Sequence, residues 1–119
     1  YEAGKIKLSS LRKKSLVNPN IQKLNLLKMK TVTGITVNEI TTRKERIKQL
    51  VKKYEPVTES MEGAALHYVG RSLNVPFLQM RAVCNYIGER DKTKWMIKDS
   101  LHNLNKTLIN YIDKLYKLK

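Results

Sequence analysis

Apolar residues recur every three or four positions along several stretches of the chain, and the longest such series is Ile97, Leu101, Leu104, Leu108, Ile112 and Leu115. That spacing places them on one side of a long helix, and core packing is the expected use of the side. Ile47, Leu50, Val51 and Tyr54 form a shorter helical face. Pro56 ends it, because the residue before a proline is pushed out of helical conformation. A third helix is expected from near Met61, with Met61, Ala64, Ala65, Tyr68, Val69 and Ser72 spaced three and four apart. Gly63, Ala64 and Ala65 are small enough to bring its first turns close to a sheet.

Two stretches lack this period. "KTVTGITVNEI", residues 30–40, is rich in β-branched residues and carries one glycine, as a strand or a strand-to-loop passage would. "NVPFLQMRAVCNYI", residues 74–87, is mostly apolar and opens on Asn74 and Pro76. Continuous apolarity predicts a strand buried on both faces, as in a parallel sheet. The first thirty residues stay irregular in this reading: a basic stretch leads to the turn signal Asn18-Pro19-Asn20, and "IQKLNLLKMK" suits a short helix or an extended segment. Two strands are too few for a buried parallel sheet. Together with a start at Tyr1 rather than Met, this predicts that residues 1–119 are the carboxyl-terminal part of a single larger domain whose amino-terminal part is absent.

Composition changes the picture in two ways. The chain has 119 residues and a formal net charge of +14, a balance that can steer a protein towards nucleic acid or other polyanions. Many of the lysines, however, alternate with apolar residues in "RKERIKQLVKKY" and "NKTLINYIDKLYKLK", where they form the solvated face of amphipathic helices. No zinc-finger spacing, basic zipper or aromatic RNA-binding signature accompanies the charge, so nucleic-acid binding stands as the second class of function. No apolar run is long enough for a membrane span and no secretory signal opens the chain, so a cytoplasmic location is expected. Cys84 has no second cysteine to pair with, in keeping with a reducing compartment.

Candidate chemistry lies between Glu59 and Asp91. Glu62 falls at the start of a helix, where the dipole and free backbone N–H groups favour a carboxylate. Its two oxygens suit the adjacent 2′ and 3′ hydroxyls of a ribose, with Met61 against the sugar face. Acidic residues also occupy first turns merely to stabilise helices. Asn85 follows the second predicted strand, and ligands in open α/β sheets sit beyond the carboxyl ends of strands. A side-chain amide there can read a purine edge that presents N7 and a carbonyl. Equally, an asparagine at a strand end can simply form a turn.

Taken together, "ESMEGAA" followed by "NVPFLQMRAVCN" resembles the nucleoside phosphorylase and nucleosidase superfamily. With "GITVN" before and "YIGERDKTKW" after, the pattern is most similar to the futalosine hydrolases, and the likeness runs from about residue 17 to residue 119. The resemblance implies an α/β fold, a three-layer αβα sandwich around a mixed β-sheet that is incomplete here. It also implies a homo-oligomer that cleaves the N-glycosidic bond of futalosine, releasing hypoxanthine and dehypoxanthinylfutalosine on a route to menaquinone. No metal and no redox cofactor is implied. Purine nucleoside phosphorylases and the methylthioadenosine/adenosylhomocysteine-type nucleosidases are the alternatives within the superfamily.

Carried over by resemblance, Glu62 is the ribose-binding glutamate, Met61 its neighbour against the sugar, and Asn85 the catalytic residue facing the base. Adenine-cleaving nucleosidases have an aspartate at the position of Asn85. An amide that donates suits the carbonyl of a 6-oxopurine, although phosphorylases of 6-oxopurine nucleosides also show asparagine there. Val37 and Asn38 are expected to line the base pocket. Arg81 is expected either to pair with Glu62, to hold its segment in place, or to contact substrate. Arg90, with Lys92 and Lys94, is a candidate for the distal carboxylate of futalosine, or else part of an exposed charged loop. His67 and His102 lack a second ligand at metal spacing and read as structural. Cys84 has no candidate base and reads as a small buried residue rather than a nucleophile. The carboxylate that activates water in the superfamily has no match in the chain, so the 119 residues alone are expected to be inactive.

Overall fold

The computed structural model describes residues 15–118. The basic stretch before Ser15 therefore lies outside the described residues. A short helix, α1 (Ile21–Leu24), follows the Asn-Pro-Asn turn and leads to strand β1 (Gly34–Thr36). Helix α2 (Lys44–Tyr54), strand β2 (Thr58–Ser60), helix α3 (Gly63–Ser72), a single 3₁₀ turn (Lys92–Lys94) and helix α4 (Ile97–Tyr116) complete the order.

The two strands are parallel, with Gly34 opposite Thr58, Ile35 opposite Glu59 and Thr36 opposite Ser60. A parallel pair cannot be closed by a tight hairpin, and α2 supplies the crossover between them. The ladder is continued at both ends, by Val57 N–H donating to Thr33 O at 2.8 Å and Val37 N–H to Ser60 O at 2.9 Å. Helix α2 stops where Pro56 predicts: Glu55 caps it in the left-handed region at φ 47°.

Three expectations need correction. The second strand is Thr58–Ser60, not residues 74–87. Residues 75–84 of the latter stretch take no regular structure and join no ladder, because no described strand lies beside them to take their backbone groups. They are not buried on both faces either: Phe77 is buried, whereas Val75 and Val83 are exposed. The third helix begins at Gly63 rather than near Met61, which leaves Met61 and Glu62 on the approach to it.

The apolar stripe of α4 is likewise not core. Ile97, Leu101, Leu108, Ile112 and Leu115 are all exposed, and the packed side of the helix instead runs through Ser100, Leu104, Thr107 and Tyr111. Ser100 Oγ donates to Val83 O at 2.9 Å and Lys114 Nζ to Leu26 O at 3.4 Å, so polar contacts set the helix's rotation. Val37, Phe77 and Tyr111 are the buried apolar residues of the described chain. An α/β arrangement with a small parallel sheet is present, and the described residues do not by themselves form three layers.

What packs well does so around α3. Gly70 is buried against Phe77, and a methyl group on it would lie 2.3 Å from Phe77 Cδ1. The other edge of Phe77 meets His67 in a T-shaped contact at 4.9 Å between ring centres. His67 also donates from Nδ1 to Leu16 O at 2.9 Å, and buried Asn18 donates from Nδ2 to Phe77 O at 2.7 Å. The Asn-Pro-Asn turn is thereby fastened beneath α3.

Candidate functional site

The carboxyl ends of β1 and β2 meet the amino end of α3. Helices leave their first N–H groups without partners, and here the strands supply them. Ser60 Oγ accepts from Gly63 N–H at 3.1 Å, and Thr36 Oγ1 accepts from Ala64 N–H at 2.8 Å. Ala65 N–H is taken by the carbonyl of Glu62 at 3.0 Å. These bonds fix where Glu62 stands.

Glu62 occupies the position just before the helix, yet its side chain makes no capping bond. Because two hydroxyls have taken over that duty, the carboxylate is exposed and without hydrogen bond or ion pair among the described residues. Met61 beside it is 47% exposed. An acceptor pair and an apolar surface side by side, both facing solvent, suit the hydroxyls and the face of a sugar.

Val37 continues β1 past its last strand residue, buried and bonded to Ser60 O, and Asn38 follows in an exposed bend. Two chain segments therefore converge: Thr36-Val37-Asn38 and Ser60-Met61-Glu62. The bend beyond Asn38 is anchored as well, since Thr41 N–H donates to Glu59 Oε1 at 3.1 Å and Thr41 is only 1% exposed. Thr41 Oγ1 and Glu59 Oε2 are buried with no hydrogen-bond partner among the described residues.

Arg81 comes in from the irregular segment of residues 75–84. Its Nη2 lies 2.9 Å from where a Cβ on Gly63 would be, and Gln79 Oε1 accepts from its Nε at 3.0 Å. No ion pair joins it to Glu62 among the described residues. The absent side chain of Gly63 is what admits the guanidinium to the helix end.

Asn85 lies farther along the same segment, half-buried. Its Oδ1 accepts from Cys84 Sγ at 2.9 Å and its Nδ2 donates to Tyr86 O at 3.0 Å. The structure does not join Asn85 to Glu62 by any hydrogen bond. What links the two sides is the backbone that runs from Arg81, against Gly63, to Asn85. Met96 N–H donating to Cys84 O at 2.8 Å then ties this backbone to the start of α4.

The loop beyond Asn85 is built by its own polar groups. Asp91 Oδ1 accepts from Thr93 Oγ1 at 2.6 Å and from Thr93 N–H at 3.0 Å, and Glu89 Oε1 accepts from Asp91 N–H at 2.8 Å. The Thr93 hydroxyl and, next, its N–H hold the Asp91 carboxyl below its usual range. Lys94 pairs with Glu89 at 3.4 Å and with Asp91 at 3.9 Å. That occupies Lys94 within the loop. Arg90 and Lys92 are exposed and make no ion pair among the described residues.

Two surface grooves lie elsewhere, one lined by Ile21, Gln22, Asn25, Lys28 and Thr31, the other including Pro19, Gly70, Asn74 and Phe77. Neither includes Glu62 or Asn85. No group of His, Cys, Asp or Glu among the described residues is arranged to hold a metal ion.

Sequence reasoning passed over Ser60, Thr36, Glu59 and Gln79, the residues that position the others. A signal existed for one of them: Ser60 stands three residues before Gly63, the separation at which a serine side chain caps a helix N–H. Thr36 carried none, because its partner is distant in sequence.

Comparison with known proteins adds three findings. The model of the phosphorylase superfamily matches residues 7–117. A futalosine hydrolase from Thermus thermophilus is 32% identical over 78 residues, which cover 66% of this chain and 35% of that protein. The chain thus matches about a third of its relative's length. No solved structure matches the chain significantly.

Proposed function

Since the chain belongs to the phosphorylase superfamily, we propose that it forms the ribose- and base-recognition part of a nucleosidase that hydrolyses the N-glycosidic bond of futalosine. Hypoxanthine and dehypoxanthinylfutalosine would be the products, on a route to menaquinone, with the whole protein a homo-oligomer. The observation that carries this reading is the exposed Glu62 carboxylate, relieved of capping by Ser60 and Thr36 and placed beside Met61. The 32% identity to a futalosine hydrolase supports the choice of substrate.

Departure of the base leaves positive charge on the ribosyl carbon and negative charge on the purine. Catalysis then consists of holding the sugar and stabilising that negative charge where it develops. Glu62 receives the ribose hydroxyls and Met61 covers the sugar face. Val37 and Asn38 border the base, towards which Asn85 donates from Nδ2. Arg81 keeps the segment bearing Asn85 against the amino end of α3. Arg90, which like Lys92 is exposed and makes no ion pair among the described residues, is the cation offered to the distal carboxylate of futalosine. The described residues contain no assigned group for activating water, so the 119 residues by themselves are expected to be inactive.

The test is hypoxanthine release from futalosine in phosphate-free buffer, by the protein at its native length. Release is expected, with kcat/KM falling about 10²–10³-fold in Glu62→Ala and in Asn85→Ala, the loss typical of one preorganised transition-state contact. Turnover only of inosine, and only with phosphate, would make the protein a phosphorylase instead. Turnover of an adenine nucleoside alone would make it a nucleosidase of the other type.

A further inference from the structure

An asparagine amide has two unlike ends of nearly the same shape, and turning it over exchanges a donor for an acceptor. Which end meets a purine decides which purine is read. A 6-aminopurine presents a donor at C6 beside the acceptor N7, so it suits an amide that offers both its oxygen and its nitrogen. A 6-oxopurine presents acceptors at both places and suits the nitrogen end alone. Something must hold the amide of Asn85 one way round.

We propose that Cys84 is that positioning residue: its thiol donates to Asn85 Oδ1 and so fixes the amide with its N–H groups available to a 6-oxopurine. The contact is 2.9 Å. With Oδ1 turned to the sulfur, Nδ2 spends one hydrogen on Tyr86 O at 3.0 Å and keeps one to donate. The reversed amide would bring its NH₂ against Cys84 and its oxygen against the Tyr86 carbonyl, facing an acceptor with an acceptor. It would lose the bond to Tyr86 O and keep at most a weak N–H contact to the sulfur.

The thiol is itself held from behind. Cys84 O accepts from Met96 N–H at 2.8 Å, and Val83 O accepts from Ser100 Oγ at 2.9 Å, so the first turn of α4 pins the backbone on which the sulfur stands. Cys84 is half-buried, a free cysteine whose neighbour in the site is an amide and not a base. It acts through Asn85 and touches neither the sugar nor the reacting bond. This role rests on the reading of Asn85 as the residue that meets the base.

The experiment compares wild type, Cys84→Ser and Cys84→Ala at native length by two readouts. One is the side-chain amide resonance of Asn85 without ligand; the other is the ratio of kcat/KM for inosine over adenosine. Serine keeps a donor at the same place, so its ratio should stay within about twofold of wild type, whereas alanine should lower the ratio roughly tenfold, as loss of one hydrogen bond allows. The Asn85 resonance should shift in the alanine variant only. An unchanged ratio in Cys84→Ala overturns the proposal, as does an equal fall in both variants, which would assign the effect to packing. If wild type releases no hypoxanthine from futalosine, the proposed function fails; if it cleaves neither inosine nor adenosine, the resonance alone decides the orientation, and no shift in Cys84→Ala overturns it.

Discussion

Gly70 shows how much a single missing side chain can decide. Glycine inside a helix is worth about 1 kcal/mol less than alanine, so propensity alone favours replacing it. The ring of Phe77 opposes that change, because the new methyl would lie 2.3 Å from Cδ1 of a ring already held between α3 and His67. Overpacking of this kind costs about 1–3 kcal/mol and outweighs the gain. Gly70→Ala should therefore lower the urea midpoint of the native-length protein, and an unchanged or higher midpoint would mean that the ring moves freely. Gly63 differs, since its missing side chain makes room for Arg81 and Ser60 at the site. Both glycines are plain in the sequence, but only the residues that approach them reveal what they are for.

Among the elements, α3 depends on hydroxyls from two strands. Thr36→Val removes the acceptor of Ala64 N–H and Ser60→Ala that of Gly63 N–H, each costing about 0.5–2 kcal/mol by analogy with a lost helix cap. Hydrogen exchange should accelerate at Ala64 in the first variant and at Gly63 in the second. Equal acceleration at both amides in either variant would mean that the helix end frays as a unit. The loop of residues 89–94 depends on charge. Bonds from Thr93 to its ionised form hold the carboxyl of Asp91 below its ordinary value of 3.8, so the loop gains stability from it above that value and loses it as pH falls through the lower folded one. Trp95 donates from Nε1 to Glu89 O at 3.2 Å and reports on the same loop. Its emission should be flat at neutral pH and change below the ordinary aspartate range, and Asp91→Ala should show the acid-type spectrum already at neutral pH.

The helices at this scale were readable from periodicity, and Pro56 marked one end correctly. Strand β2 was not, because Thr58-Glu59-Ser60 has no apolar alternation and becomes a strand only through pairing with β1. Residues 74–87 misled for the converse reason: their apolarity describes a burial that the described residues do not provide. Glu62 and Asn85 were proposed through motif order, and their roles stand as proposals. The groups that orient them, Thr36 and Gln79 among others, carry roles set by contacts distant in sequence or by the path of the chain.

At the scale of the whole molecule the dominant fact is how little apolar surface is covered. Leu101 is 54% exposed, Leu108 42% and Ile112 50% along one side of α4, while Val37, Phe77 and Tyr111 are the buried apolar residues described. Surfaces of this kind bind hydrophobic dyes. The 119-residue chain should enhance the fluorescence of anilinonaphthalene sulfonate, and replacing Leu101, Leu108 and Ile112 together by serine should reduce the enhancement while leaving the far-ultraviolet circular dichroism largely unchanged. A collapse of the helical signal instead would show that these leucines and isoleucine already pack against something. No helix among the described residues is long and apolar enough to cross a membrane, so α4's exposed side is not a span.

The parallel register of β1 and β2 also imposes an order in time. Gly34 cannot find Thr58 until the intervening crossover has closed, and closing a long loop before any reward from pairing is slow. The hydroxyls of Thr36 and Ser60 come together only at that moment, so the amino end of α3 acquires its fixed position after α2 has formed. During synthesis or refolding, the Glu62 carboxylate is thus expected to reach its place beside Met61 only after the strands have paired, and closure of the crossover sets how soon that end of the molecule is complete.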